Sequence, residues 1–256
     1  MNKRQKLGQH LLKDSSILNN IVKASNIASG DTIFEIGTGE GDLTEKLCSS
    51  ASKVISIEID KHLFEKAKQR LKKYGNLELI QGDGFKINRS FDLLISNIPY
   101  SKSRKFIEWL AYQKFKCSVV TVQTEFAEKI LAKPGLDNYK AISVLAQNLF
   151  QIQKLFEVRK EDFYPPPKVD STAISLRPKR EENVRPQTVS ALKTLFSFRG
   201  RLVSSALKNI FKNDMKQFKR LAEIFGSTIT QKRVEQLTSD EAFWIANMLA
   251  EISYEK

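Results

Sequence analysis

The stretch Ile33-Phe34-Glu35-Ile36-Gly37-Thr38-Gly39-Glu40-Gly41-Asp42 holds the reading on which the fold turns. A short apolar run follows the turn pair Gly30-Asp31 and ends in three alternating glycines. A run of that length is strand-sized, and glycines directly after it let the backbone turn sharply and approach a ligand closely. Upstream, Asp14 and Ser15 precede Ile17, Leu18, Ile21 and Val22, an apolar face at helical spacing behind capping residues, so a helix is expected over 15–28. Downstream, strand-like runs recur at 54–59, 77–81, 93–96 and 118–122, with helical segments at 63–74 and 104–112. This alternation predicts an α/β fold, a mostly parallel sheet covered by helices on both faces. Two later β-rich runs, 152–158 and 171–176, flank Phe163-Tyr164-Pro165-Pro166-Pro167 and are expected to complete the sheet's edge.

At Arg177-Pro178-Lys179-Arg180 the composition turns basic and then helical, with apolar periodicity at 189–198, 202–211 and 218–225 and a last helix at 240–252. The expected boundary lies near residue 180, with a catalytic domain over 1–180 and a smaller all-helical domain over 181–256. A chain of 256 residues and 29.2 kDa suits one full domain and a smaller one, without staples. Apolar runs such as 117–122 fall far short of the roughly 20 residues of a membrane span. The basic N-terminus leads into no long apolar core, so a cytoplasmic protein without membrane association is expected. Cys48 and Cys117 form no Cys-x-x-Cys pair, and His10 and His62 lie far apart. That spacing argues against a disulfide framework and against a structural metal.

The net charge of +13 favours an anionic macromolecular partner. Residues 177–220 hold twelve Lys and Arg against three acids, a local charge of +9, whereas 221–256 carry −3. Lys3, Arg4, Lys6 and Lys13 add a second cluster at the N-terminus. Such clustering is the footprint of a polyphosphate ligand, and its bland alternative is a solubilising surface.

Three further positions bear on the glycine turn. Glu58 ends the second strand, where an acid can accept both hydroxyls of a ribose. The dinucleotide fingerprint needs a glycine at position 42, which is Asp42, so a nicotinamide or flavin reading is weakened. Asp83 ends the third strand and Asn97 the fourth. In an open α/β sheet the ligand crevice lies at the carboxyl ends of the strands, so Gly37, Glu58, Asp83 and Asn97 should converge on one rim. In Asn97-Ile98-Pro99-Tyr100, a proline fixes the turn and leaves an amide side chain and carbonyls beside an aromatic ring. Those groups suit a planar base bearing an exocyclic amine.

On Leu7-Gly8-Gln9-His10-Leu11-Leu12, the Glu35–Gly41 loop, Glu58, Asp83, Asn97-Ile98-Pro99-Tyr100 and Phe163-Tyr164-Pro165-Pro166-Pro167-Lys168-Val169-Asp170-Ser171, the chain resembles the ribosomal RNA adenine dimethyltransferases of the KsgA class. The resemblance runs nearly end to end. It includes Leu195-Phe196-Ser197 before Arg199-Gly200-Arg201, and Arg233-Val234-Glu235-Gln236-Leu237. It implies a Rossmann-like class I methyltransferase sheet, S-adenosylmethionine as cofactor, and dimethylation of adenosine amines in small-subunit rRNA, coupled to ribosome biogenesis. By resemblance, His10 and Leu12 help close the cofactor pocket, Gly37 and Gly39 back the methionine moiety, Glu58 holds the ribose and Asp83 binds the adenine amine. Asn97 and Pro99 then sit at the transferred methyl, and Tyr100 and Phe163 sandwich the target base. Lys193, Arg199, Arg201 and Lys208 are the expected RNA contacts. The expected partner is an immature small subunit, met by a monomer.

The chain departs from the family's pattern at Ser101-Lys102-Ser103-Arg104, where an apolar residue and small residues or proline are usual, and at Gly200, inside a run that is usually more basic. Two other readings compete: a non-catalytic assembly or transcription factor on the same fold, and a large-subunit rRNA methylase of the resistance type. The tail and the 163–171 motif favour the small-subunit enzyme.

Overall fold

The computed structural model describes residues 10–179 and 184–252. Leu7, Gly8, Gln9 and the basic Lys3, Arg4, Lys6 and Arg180 lie outside the described residues. The chain divides into two compact units, one bounded as Met1–Ala127 with Phe150–Glu181, the other as Glu128–Leu149 with Glu182–Lys256.

The first unit is a sheet with helices. A two-residue strand, β1 (Leu11–Leu12), leads into α1 (Ser15–Ala24), whose N-cap Asp14 accepts from the Ser16 and Ile17 amides. The sheet then builds as β2 (Thr32–Ile36), α2 (Asp42–Cys48), β3 (Lys53–Glu58), α3 (Lys61–Leu71), β4 (Leu77–Gln81), β5 (Leu93–Asn97), α4 (Ser103–Leu110) and β6 (Cys117–Gln123). After α5 (Thr124–Ile130) and α6 (Ala141–Leu149) come β7 (Phe150–Val158), β8 (Phe163–Tyr164) and β9 (Ser171–Pro178). Consecutive residues Ile33-Phe34, Leu94-Ile95 and Val119-Val120 are all at most 1% exposed. Burial of both alternating faces is why these strands read as unbroken apolar runs.

The seven strands lie in the order β4-β3-β2-β5-β6-β9-β7, parallel from β4 through β6 and antiparallel for β6–β9 and β9–β7. β9 inserts between β6 and β7, so the two late runs extend the sheet as an antiparallel pair with the later one inside. Chain order reverses between β2 and β5, which makes their carboxyl ends the natural ligand crevice of the sheet.

The second unit holds α5's end, α6, α7 (Pro186–Phe196), α8 (Val203–Ile210), α9 (Met215–Thr230) and α10 (Ser239–Ile252). Segment 128–149, expected in the catalytic domain, is thus counted with the helical unit. α6 is buried along most of its length and packs on α7 and α10, with Asn148 Nδ2 donating to the Ser239 carbonyl (2.7 Å). Tyr139, fully buried, donates its hydroxyl to the Leu237 carbonyl (3.0 Å). These partners are 91 and 98 residues away in sequence, so local composition around 128–149 does not reveal them.

Candidate active site

The carboxyl ends of β2 to β5 meet at one crevice of the first unit, and Gly37, Gly39, Glu58, Asp83, Asn97, Pro99, Tyr100 and His10 all line it. Gly37 turns the chain out of β2 with φ +91°, and its amide donates to the Ile57 carbonyl (2.8 Å). A Cβ there would meet nothing within 4 Å and would project into open space. Gly39 has φ +61°, a conformation L side chains rarely adopt, and a Cβ there would come within 2.7 Å of Leu11 Cδ2, which would have to shift.

Glu58, 2% exposed, holds this loop: its Oε2 accepts from the Gly39 amide and its Oε1 from the Asp60 amide, both at 2.8 Å. Burial raises its carboxyl above the usual range, partly offset by those two bonds. Each oxygen keeps a second lone pair for a ligand hydroxyl. Asp83 accepts from the Phe85 amide (3.0 Å) and from Lys105 Nζ (3.1 Å). Burial pushes its carboxyl up, but the amide and the lysine outweigh it and hold the group low.

Asn97 is the most informative residue. Its Nδ2 donates to the His10 carbonyl (2.9 Å), while its Oδ1 is buried with no hydrogen-bond partner among the described residues. An acceptor left so in a crevice is costly unless a ligand supplies the donor. Beside it, the Pro99 carbonyl accepts from the Lys102 amide (2.7 Å), and the Tyr100 hydroxyl shares a 2.6 Å hydrogen bond with Ser171. Burial raises the Tyr100 phenol.

His10 acts as a clamp. Its Nδ1 donates to the Pro165 carbonyl (2.8 Å), and its ring lies 5.5 Å from that of Tyr100. β1 and β8 pair antiparallel, Leu11 with Tyr164 and Leu12 with Phe163.

Two expected site residues are not brought to the crevice. Leu12 (5% exposed) and Phe163 (3%) sit in the core with Leu18 and Ile21, while Leu11 lines the crevice instead. The cause is strand alternation: of two successive residues only one can face the ligand. Phe163 is therefore a core side chain rather than an exposed stacking surface.

Sequence reasoning also left Glu35 without a role. It is 1% exposed, and one oxygen accepts from Thr44 Oγ1 and Ser56 Oγ, both at 2.6 Å. Burial pushes its carboxyl up to about 8, against two hydroxyl bonds that lower it. The signal was an acid inside the otherwise apolar 33–36 run. Leu11, Ile59, Phe85 and Lys102 line the crevice as well; Ile59 and Phe85 lie next to the singled-out Glu58 and near Asp83, while Leu11 and Lys102 stood inside motif stretches without being given a role.

In the second unit, Lys193, Arg201 and Lys208 are exposed. Arg199 differs: half-buried, it pairs with Glu235 at 2.9 Å.

The ribosomal RNA adenine dimethylase family model matches residues 1–251. A probable ribosomal RNA small subunit methyltransferase A of Pyrococcus abyssi is 34% identical over 96% of this chain and 91% of its own length. The ribosomal RNA small subunit methyltransferase A of Thermotoga neapolitana matches at the same identity and coverage. Among solved structures, a dimethyladenosine transferase from Plasmodium falciparum superimposes with a TM-score of 0.83 at 31% identity, covering 96% of this chain and 98% of that one. The 23S rRNA methyltransferase ErmE shares the fold, with a TM-score of 0.64 at 23% identity over 93% and 99% of the two chains.

Proposed function

The chain belongs to the ribosomal RNA adenine dimethylase family, and from that premise we propose that the crevice at the ends of β2 to β5 carries the family's chemistry on small-subunit rRNA. The reaction is S-adenosylmethionine-dependent dimethylation of the exocyclic amine of adenosine. The observation that carries the assignment of residues is the Oδ1 of Asn97, buried and without a hydrogen-bond partner among the described residues, an acceptor at the place where a substrate N–H is needed.

The lining suits the cofactor. Open space over Gly37 accommodates a ligand where any side chain would intrude. The Glu58 oxygens retain lone pairs for two ribose hydroxyls, and Asp83 offers acceptors for an adenine amine. S-adenosylmethionine, when bound, supplies an electrophilic sulfonium methyl. His10 closes the crevice through its bonds to Asn97 and Pro165, and Leu12 supports it from the core side.

An aromatic amine is a poor nucleophile because its lone pair is delocalised into the ring. The site needs alignment and polarisation more than a strong base. Asn97 Oδ1 accepts one N–H, and a main-chain carbonyl accepts the other. The Pro99 carbonyl already takes the Lys102 amide, which favours Ile98. Pulled toward tetrahedral geometry, the nitrogen frees its lone pair toward the methyl. As the N–C bond forms the methyl's bond to sulfur would break, leaving a neutral thioether, and the nitrogen would lose one proton to water at the open mouth of the crevice. One N–H then remains, and rotation about the C–N bond presents it for a second transfer. Tyr100 stacks on the flipped base.

Lys193, Arg201 and Lys208 contact RNA phosphates, with Arg199 ordering the turn they flank. The substrate is an immature small subunit and the protein acts as a cytoplasmic monomer; among the described residues no helix is long and apolar enough to cross a membrane. Transfer of labelled methyl groups to immature small subunits, compared with mature subunits, large subunits and naked RNA, tests the assignment. Dimethyladenosine in the immature small-subunit RNA is the expected result, and label confined to large subunits overturns it.

A further inference from the structure

The strap formed by β1 and β8 presents an aromatic ring that the assignment of residues above does not use. In a two-stranded antiparallel ladder, directly opposed residues share a face and successive residues alternate. The Leu12–Phe163 pair faces the core. Leu11 lines the crevice, so its partner Tyr164 stands on the crevice face, and there it is 65% exposed.

The backbone on either side of Tyr164 is pinned. Phe163 is buried, the Asp162 carbonyl accepts from the Lys13 amide (2.9 Å), and the Pro165 carbonyl accepts from His10 Nδ1 (2.8 Å). His10 in turn lies against Tyr100, which places Tyr164 on the side of the crevice where Asn97 and Tyr100 meet the target. A large, exposed ring on an immobilised backbone loses little freedom on contact, and a nucleobase is the surface such a ring binds without sequence preference.

We propose that Tyr164 stacks on an unpaired base of the rRNA strand that delivers the target adenosine, the base flanking the flipped one. This rests on the methyl-transfer reading above. The flanking base is favoured because the Asn97 acceptor lies buried inside the crevice, whereas a ring exposed to this extent stands at its rim. Tyr164 is thus a positioning residue for the RNA and has no part in holding the cofactor.

The test compares Tyr164→Ala, Tyr164→Phe and Tyr164→Leu with the wild type in steady-state methyl transfer to immature small subunits, with cofactor affinity by calorimetry and melting temperature alongside. Tyr164→Ala should raise KM for RNA about 5- to 150-fold, the loss of one base–aromatic stack, with cofactor affinity and melting temperature unchanged. Tyr164→Phe should restore wild-type KM and Tyr164→Leu should not, because stacking needs the ring and not the hydroxyl. An unchanged KM for Tyr164→Ala, or equal rescue by leucine, overturns the inference. A loss of cofactor affinity or of melting temperature in Tyr164→Ala also overturns it. A wild-type protein that methylates no adenosine would instead sink the methyl-transfer reading, so the two failures are distinguishable.

Discussion

Replacing Asn97 by alanine removes two opposed contributions to stability and one to the reaction. The lost Nδ2 bond to the His10 carbonyl (2.9 Å) costs about 1 kcal/mol, and up to about 3 if that carbonyl stays unsatisfied. Deleting the buried, unpartnered Oδ1 relieves a desolvation penalty of about 1–3 kcal/mol. The two are similar in size and opposite in sign, so the net change stays within about 2 kcal/mol either way and the melting temperature should move by no more than about 4–8 °C, at about 2–4 °C per kcal/mol in a chain of this length. Turnover has no such compensation. Loss of one preorganised hydrogen-bonding group at a reacting atom lowers kcat by about 10²- to 10³-fold. Scanning calorimetry, cofactor titration and single-turnover methyl transfer measure the three quantities separately. Asn97→Asp sharpens the comparison: it keeps an acceptor but turns the donor into an oxygen facing the His10 carbonyl, and it should lower the melting temperature more than alanine does. A folded Asn97→Ala protein that transfers methyl groups at the wild-type rate would refute the reasoning.

Glu58→Gln should weaken S-adenosylmethionine binding by about 1.5–3 kcal/mol, the range for hydrogen bonds to a charged acceptor; unaltered affinity in calorimetry removes Glu58 from the ribose site. Glu35 holds its proton more tightly folded than unfolded, so its contribution is complete below its ordinary value of 4.5 and is lost as pH rises through about 8. The unfolding free energy of the wild type, from denaturant titrations, should fall across that window by up to about 5 kcal/mol. Glu35→Gln should show a shallower slope, with Glu58 keeping part of it; superimposable pH profiles would count against a buried neutral Glu35. Phe163→Ala should cost about 3–5 kcal/mol of stability, as for a buried phenylalanine, and a melting temperature equal to wild type would return it to the exposed side of the strap. Reversing the charges of Lys193, Arg201 and Lys208 together should weaken RNA binding and flatten its salt dependence by about 0.7 to 0.9 slope units per lost phosphate contact; wild-type affinity and slope in this variant would rule out the contacts.

Motifs held in short, contiguous stretches were legible in the sequence. Strands buried on both faces are apolar runs whatever surrounds them, so β2, β3, β5 and β6 could be read locally; β4, a half-buried edge strand, still showed as a short apolar run, and with these strands came the rule that their carboxyl ends share a rim. That was enough to bring Gly37, Glu58, Asp83 and Asn97 to one crevice, where the structure holds them. The same logic could not decide which of Leu11 and Leu12, or of Phe163 and Tyr164, faces the ligand. Strand alternation makes the two choices mutually exclusive, and only the pairing of segments some 150 residues apart selects one.

Tertiary structure alone decided the rest. Tyr139 and Asn148, just before and inside helix α6, find their hydrogen-bond partners at Leu237 and Ser239 near the far end of the chain, β9 lies inside the sheet although it is the last strand in sequence, and Arg199 is occupied by Glu235. Each depends on a contact between distant residues, and composition or periodicity within a window carries no information about such a partner. The unpartnered Oδ1 of Asn97 is the clearest case. That an asparagine ends the fourth strand is written in the sequence, but that one of its atoms is buried and left without a donor follows only from how β1 and the 97–100 turn pack around it.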